Sequence, residues 1–303
     1  METAIVKKYS IPRHIWRAIY PLLVWVGITT MVQLIVTTWS IAADVIFNRI
    51  PFDIALGGSE AFLSEHVLLL TLIGNALAII LFTLMWRKIR LKLQKYENSK
   101  LTALSLTLTI ALSIALNYFL VVFIGLTGII DFFPSYEEIV IILSGGNLLI
   151  RVIAIGISAP IIEEILCRGI ILNRLLAWMP KWPAIIISSA LFGIVHFNLF
   201  QGLYAFAIGV VFAVLYLRYR NLWIPIIGHA AFNLANLLLV EVVDAFGLEI
   251  NALLLLIPSV LVTVASTILI IKITKKAVLI PRQTVEPIAA PQGYYPPHFP
   301  PQV

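Results

Sequence analysis

Three stretches of this 303-residue chain set ionisable or strongly hydrogen-bonding side chains into otherwise apolar sequence. The first, SAPIIEEILCRGIIL, contains Glu163, Glu164 and Arg168. Charged groups in hydrocarbon are costly unless paired or neutral, and they usually face a protein interior or a wet cavity. Helical spacing separates their tasks. Glu164 and Arg168 stand at i and i+4 with the acid first, so they can pair on one face. Glu163 points roughly 100° away and is free to face another helix as a general base or acid. A structural ion pair with a spare carboxylate accounts for this stretch equally well when it is taken alone.

The second stretch, ALFGIVHFNL, places Phe192 one turn before His196, where the ring can hold the imidazole. A lone histidine on a membrane helix can also simply hydrogen-bond a neighbouring helix. The third, PIIGHAAFNLANLLL, carries His229 and Asn233 at i and i+4, so both face one partner. Both side chains donate hydrogen bonds, which suits a developing oxyanion. Interhelical hydrogen bonding is the plainer account, and Asn236 one turn on could extend it. Together the three stretches supply the parts of a hydrolytic site. Glu163 and His196 could hold and deprotonate a water, while His229 and Asn233 polarise the carbonyl it attacks. Arg151 is expected to snorkel or pair structurally, and Asn198 to end a helix. Cys167, the single cysteine, permits no internal disulfide. It has no basic partner one turn before it and makes a poor nucleophile.

The elements that must carry these residues are membrane helices. The chain is 61% hydrophobic and 12% charged, where a soluble domain carries about 25% charged residues. Its mean hydropathy is +1.01. A net charge of +6 could suggest nucleic acid, but the basic residues lie between apolar runs, as topology determinants do. A span needs about 20 apolar residues. That criterion predicts an all-α, polytopic transmembrane bundle of about eight spans: 18–42, 63–86, 102–126, 147–170, 184–199, 202–218, 222–242 and 252–273. The fifth and sixth read as a helical hairpin closed between Asn198 and Gly202. The first apolar run is too long for a cleavable signal and is read as a retained span.

Basic and acidic or neutral intervals alternate along the chain. Arg13 and Arg17 precede the first span, Asp44 to Glu60 follow it, and Arg87 to Lys100 follow the second. This pattern predicts an integral membrane protein with both termini cytoplasmic. Trp16, Trp86, Trp178, Trp182 and Trp223 fall near span ends, as interfacial anchors do. The organisation expected is N-terminal membrane helices over 1–145, a catalytic core over 146–245, a last span over 246–273 and a Pro-rich cytoplasmic tail over 274–303. That tail should be extended and mobile, with the option of docking a partner. Neither a soluble domain nor an internal repeat is visible.

EEILCR fits EExxxR, FGIVH fits FxxxH and HAAFN fits HxxxN, in that order on successive helices. Over about residues 145–240 the chain resembles the CPBP family: CAAX prenyl proteases and related bacteriocin-processing or Abi membrane proteins. The resemblance implies an all-helical intramembrane endopeptidase whose site opens toward the cytoplasm. Glu163 would be the catalytic glutamate, with His196 as its partner on the water. Glu164 and Arg168 would support the site, and His229 and Asn233 would bind the oxyanion. Such proteins have been classed as metalloproteases, and Glu163, His196 and His229 would suit zinc with an open position. A glutamate-activated water explains the same residues without metal, HExxH is lacking, and the metal-independent reading is preferred. The implied partners are the bilayer and a peptide or membrane-protein substrate, prenylated or not. A non-proteolytic scaffold or bacteriocin-immunity protein is the alternative within the family. An ion- or proton-coupled transporter is the alternative outside it, disfavoured because the polar cluster occupies only the C-terminal half.

Overall fold

The computed structural model describes residues 11–93, 101–247 and 251–274. The Pro-rich tail and its expected docking lie outside the described residues. Among these residues the regular structure is entirely helical. The long helices are α1 (Ile11–Ile46), α2 (Phe52–Leu93) and α3 (Ala103–Thr127). A short helix, α4 (Ser135–Ser144), precedes α5 (Leu148–Leu176), which bends from it by 113°. Next come α6 (Lys181–Ile194), α7 (Leu199–Tyr219), α8 (Trp223–Phe246) and α9 (Ala252–Ile273).

Each predicted span falls on a helix, but the count of membrane crossings differs from eight. Among the described residues six helices are long and apolar enough to cross, or seven if the bent α4–α5 pair is one span. The fifth predicted span is the shortfall. It falls on α6, which stops at Ile194 after 14 residues. Phe197 then turns left-handed at φ 53°, and the Asn198 side chain accepts the Gln201 N–H to cap α7. The turn therefore comes earlier than the link expected between Asn198 and Gly202. At its other end α7 closes on Arg220, also left-handed. The sequence reading also missed α4, whose ten residues fall below the length of a span.

Burial divides into two apolar clusters. One gathers Ala18 and Leu22 of α1, Ala78 and Phe82 of α2, and Phe192 of α6 around Ile162, Leu166 and Ile170 of α5. The other joins Leu108 and Leu112 of α3, Phe212 and Leu215 of α7, Phe232 of α8 and Ile270 of α9. Helix α7 contributes to both, so the seam between them runs along it. On the outer surfaces Leu34, Trp39, Ile80, Leu84 and Leu254 are exposed, as side chains facing lipid are.

Candidate hydrolytic site

The three polar stretches meet at that seam. Helix α5 is not a regular α-helix there, since it widens to i→i+5 turns over Val152–Ser158 and again over Ile165–Leu172. Pro160 gives a local reason for the first. A proline ring clashes with the carbonyl four residues back and removes a donor, and a widened turn relieves that crowding. The Ala159 N–H then bonds the Ala154 carbonyl. The Ile155 carbonyl is left facing Pro160, which has no N–H to give. Asn233 of α8 supplies the missing donor, its Nδ2 reaching the Ile155 carbonyl at 2.9 Å. Beside it, a Cβ on Gly156 would overlap the Leu234 side chain. The widened turn is thus the place where α8 docks on α5.

One turn later the two glutamates separate as their spacing requires. Glu164 and Arg168 are both wholly buried and pair at 2.8 Å. Arg168 also donates to the Gly209 carbonyl of α7 at 2.7 Å and lies over the Phe192 ring, 4.7 Å from its centroid. A Cβ on Gly209 would press on both Arg168 and Phe192. His229 donates from Nδ1 to the same Glu164 oxygen at 3.0 Å, because a carboxylate oxygen can only accept. Its Nε2 lies 3.7 Å from Glu163 Oε2. That separation is too long for a direct hydrogen bond and allows a bridging oxygen. The side chain of Glu163 keeps 11% exposure, so of the two glutamates it is the one that can meet water.

His196 follows the same tautomer logic. Its Nδ1 is 2.8 Å from the Phe192 carbonyl, an acceptor, so Nδ1 carries the proton. In their neutral forms both imidazoles therefore leave Nε2 as a lone pair. Phe192 meets the edge or face of both rings, at 5.2 Å from His196 and 5.6 Å from His229. Phe212 stacks on His229 from the other side at 5.2 Å. Glu163 lies within electrostatic range of both histidines.

Glu163, Glu164, Arg168, Phe192, His196, His229 and Asn233 are thus drawn to one region, with a changed partnering. His229 sits between the two glutamates, and Asn233 supports the α5 backbone. The sequence reading had grouped His229 with Asn233. Asn198 is a helix-end residue that also reaches back to the Ser135 carbonyl of α4 at 3.1 Å. Arg151 pairs with Glu241 at 2.6 Å. Glu163, His196 and His229 do not form a ready ligand set. Among the described residues no group of three His, Cys, Asp or Glu could hold a metal ion. Gly209 and Phe212 were missed. Their only sequence signal is a small residue inside an apolar helix, which marks close helix approach without saying what approaches.

Residues 145–235 match the family described as type II CAAX prenyl endopeptidase Rce1-like. A Bacillus subtilis (strain 168) protein named "Putative membrane peptidase YdiL" is 40% identical over 84 residues, which is 28% of this chain and 34% of that protein. The match therefore spans about a third of that relative's length. No solved structure matches the chain.

Proposed function

We propose that this chain, Rce1-like over residues 145–235, is an intramembrane endopeptidase that hydrolyses a peptide bond in a membrane-associated peptide or membrane protein. The observation that carries the reading is the inequality of its two adjacent glutamates. Glu164 is closed off by Arg168 and His229, while Glu163 keeps an open edge facing His229 Nε2 at 3.7 Å.

Glu163 takes a proton from a water whose other hydrogen is accepted by His196 Nε2. The hydroxide attacks the carbonyl carbon, and Glu163 returns the proton to the leaving amine nitrogen. His229 serves the oxyanion. Because its Nδ1–H already goes to Glu164, it offers Nε2–H only as imidazolium, which has a carboxylate on either side. Asn233 keeps one amide hydrogen beyond the one given to Ile155, and that hydrogen is its contribution to the same oxygen. Arg168 and Phe192 position Glu164 and the two imidazoles. The reading needs no metal, because Glu163 and His196 Nε2 between them take up both hydrogens of the water. The alternating charges along the sequence support a bilayer orientation with both termini cytoplasmic.

The test is cleavage of membrane-derived peptides by purified, detergent-solubilised protein. Glu163→Ala is expected to abolish cleavage while leaving the folded protein intact. Full activity in that variant would sink the mechanism. Activity that disappears on exhaustive chelation and returns with zinc would overturn its metal-independent form. Comparing the membrane proteomes of cells carrying wild type and Glu163→Ala would identify the substrate as the protein left uncut.

A further inference from the structure

Helix α4 takes no part in the hydrolysis described above, yet it is tied to the turn that follows His196. It carries no buried residue, so little apolar packing holds it down. Among the described residues, its hydrogen bonds and ring contacts to other helices lie at its N-terminal end. Asn198, just past His196, donates to the Ser135 carbonyl. Tyr136 OH meets Tyr204 OH at 3.4 Å. Phe133 and Tyr136 pack on Phe200 of α7, with ring centroids 5.2 and 4.9 Å apart. Glycines mark both boundaries of this segment: Gly128 with φ +59° before it, and Gly145 followed by Gly146 with φ +76° after it. Such positive φ values are readily adopted only by glycine. The α4–α5 bend of 113° then carries the helix across the end of the α6–α7 hairpin.

Resting on the reading of this region as a hydrolytic site, we propose that α4 is a hinged gate, latched to the start of α7 by Ser135–Asn198, Tyr136–Tyr204 and the Phe133–Phe200–Tyr136 cluster, whose release admits the peptide to Glu163. The latch joins the gate to the turn that follows His196, so release loosens the approach to the water-activating pair. Its hydrogen bonds and ring contacts are few enough to break in thermal fluctuation, as gating on the microsecond-to-millisecond scale requires.

Two measurements test the gate. The first needs no catalytic activity. In a Cys167→Ala background, Glu163→Cys is labelled with a small water-soluble maleimide, with the latch intact or broken by Tyr136→Ala with Asn198→Ala. Breaking the latch should speed labelling about tenfold, the factor for losing ~1.4 kcal/mol of closure. An unchanged rate overturns the gate, whether or not the chain proves to be a protease. The second bridges Ser135→Cys to Asn198→Cys, again without Cys167, using a short bifunctional reagent that a reductant cleaves. Bridging should cut peptide hydrolysis at least about tenfold relative to the same protein unbridged, and reduction should restore it. Undiminished hydrolysis by the bridged protein overturns the gate. If the unbridged protein cleaves nothing, the hydrolytic reading is at fault, and the labelling rate alone decides whether α4 opens.

Discussion

Helix α5 supplies the arginine of two arginine–carboxylate pairs of similar length that differ in depth and in further partners. Arg151 meets Glu241 near the first turn of α5 and the last turns of α8, at 2.6 Å, with the glutamate side chain 33% exposed. Arg168 meets Glu164 in mid-helix at 2.8 Å with neither side chain exposed. The outer pair clips two helix ends together, with a buried arginine side chain, 9% exposed, against a glutamate that water can reach. The inner pair shares its carboxylate with His229 and its guanidinium with Gly209 and Phe192. It is the junction of four helices and, in the mechanism proposed above, keeps Glu164 out of the reaction. The lesson is that a charge pair in a membrane protein is read by depth and by further partners, and only then by spacing.

The largest effect expected concerns the carboxylate that the inner pair leaves free. Glu163→Gln should lower kcat about 100- to 10,000-fold, the usual share of a general base, with thermal unfolding in detergent unchanged. Equal loss on both measurements would make Glu163 structural, like its neighbour. The next effect is on stability. Arg168→Met leaves Glu164 buried without its counter-charge and should cost about 3–5 kcal/mol, read as loss of the folded peak in size-exclusion chromatography or a steep fall in Tm. Adding Glu164→Gln to that variant should recover much of the loss, because the orphaned charge is then gone.

A smaller change separates the two tasks of Asn233. Asn233→Ala strands the Ile155 carbonyl and should cost about 1–3 kcal/mol. Pro160→Ala restores a backbone N–H opposite that carbonyl, so in the Asn233→Ala background it should return the lost stability. Cleavage should stay depressed in the double variant if the amide also serves the oxyanion. The smallest effect is expected at the outer pair. Glu241→Ala leaves Arg151 to water at the one side the glutamate kept open, and should cost about 1 kcal/mol, the upper end for a surface pair, with the hydrolysis rate as it was. A collapse there would erase the contrast between the two pairs.

Much of this could be read from residue types. Glu164 and Arg168 were legible as a pair because helical spacing leaves them little else to do. Glu163 was legible as the free acid because it points away from that pair. The partnering of His229 was not legible. Its distance to Glu164 depends on how α8 crosses α5, and that crossing is set by a widened turn at Pro160 and a bare backbone at Gly156. Spans read as apolar windows found α3 to within one residue at each end, and found α1 and α2 but set their ends too short, since a helix does not stop where the hydrocarbon does. The window method also overrated α6, because apolar residues of the turn and of α7 filled out its length. Helix α4 gave no window at all: ten residues with Glu137 and Glu138 in the first turn make a weak signal.

The shortness of α6 bears on the lipid itself. Fourteen helical residues rise only about 21 Å, against about 30 Å of hydrocarbon in an ordinary bilayer. At its far end Ile194, Phe197 and Leu199 are exposed and apolar, so acyl chains rather than water suit that rim. Lipid beside a hairpin this short would have to shorten or tilt to meet it. In the mechanism proposed above, thinner membrane there would bring a buried peptide bond closer to the water at Glu163. Lengthening the surrounding acyl chains would work against the enzyme without touching any of its residues.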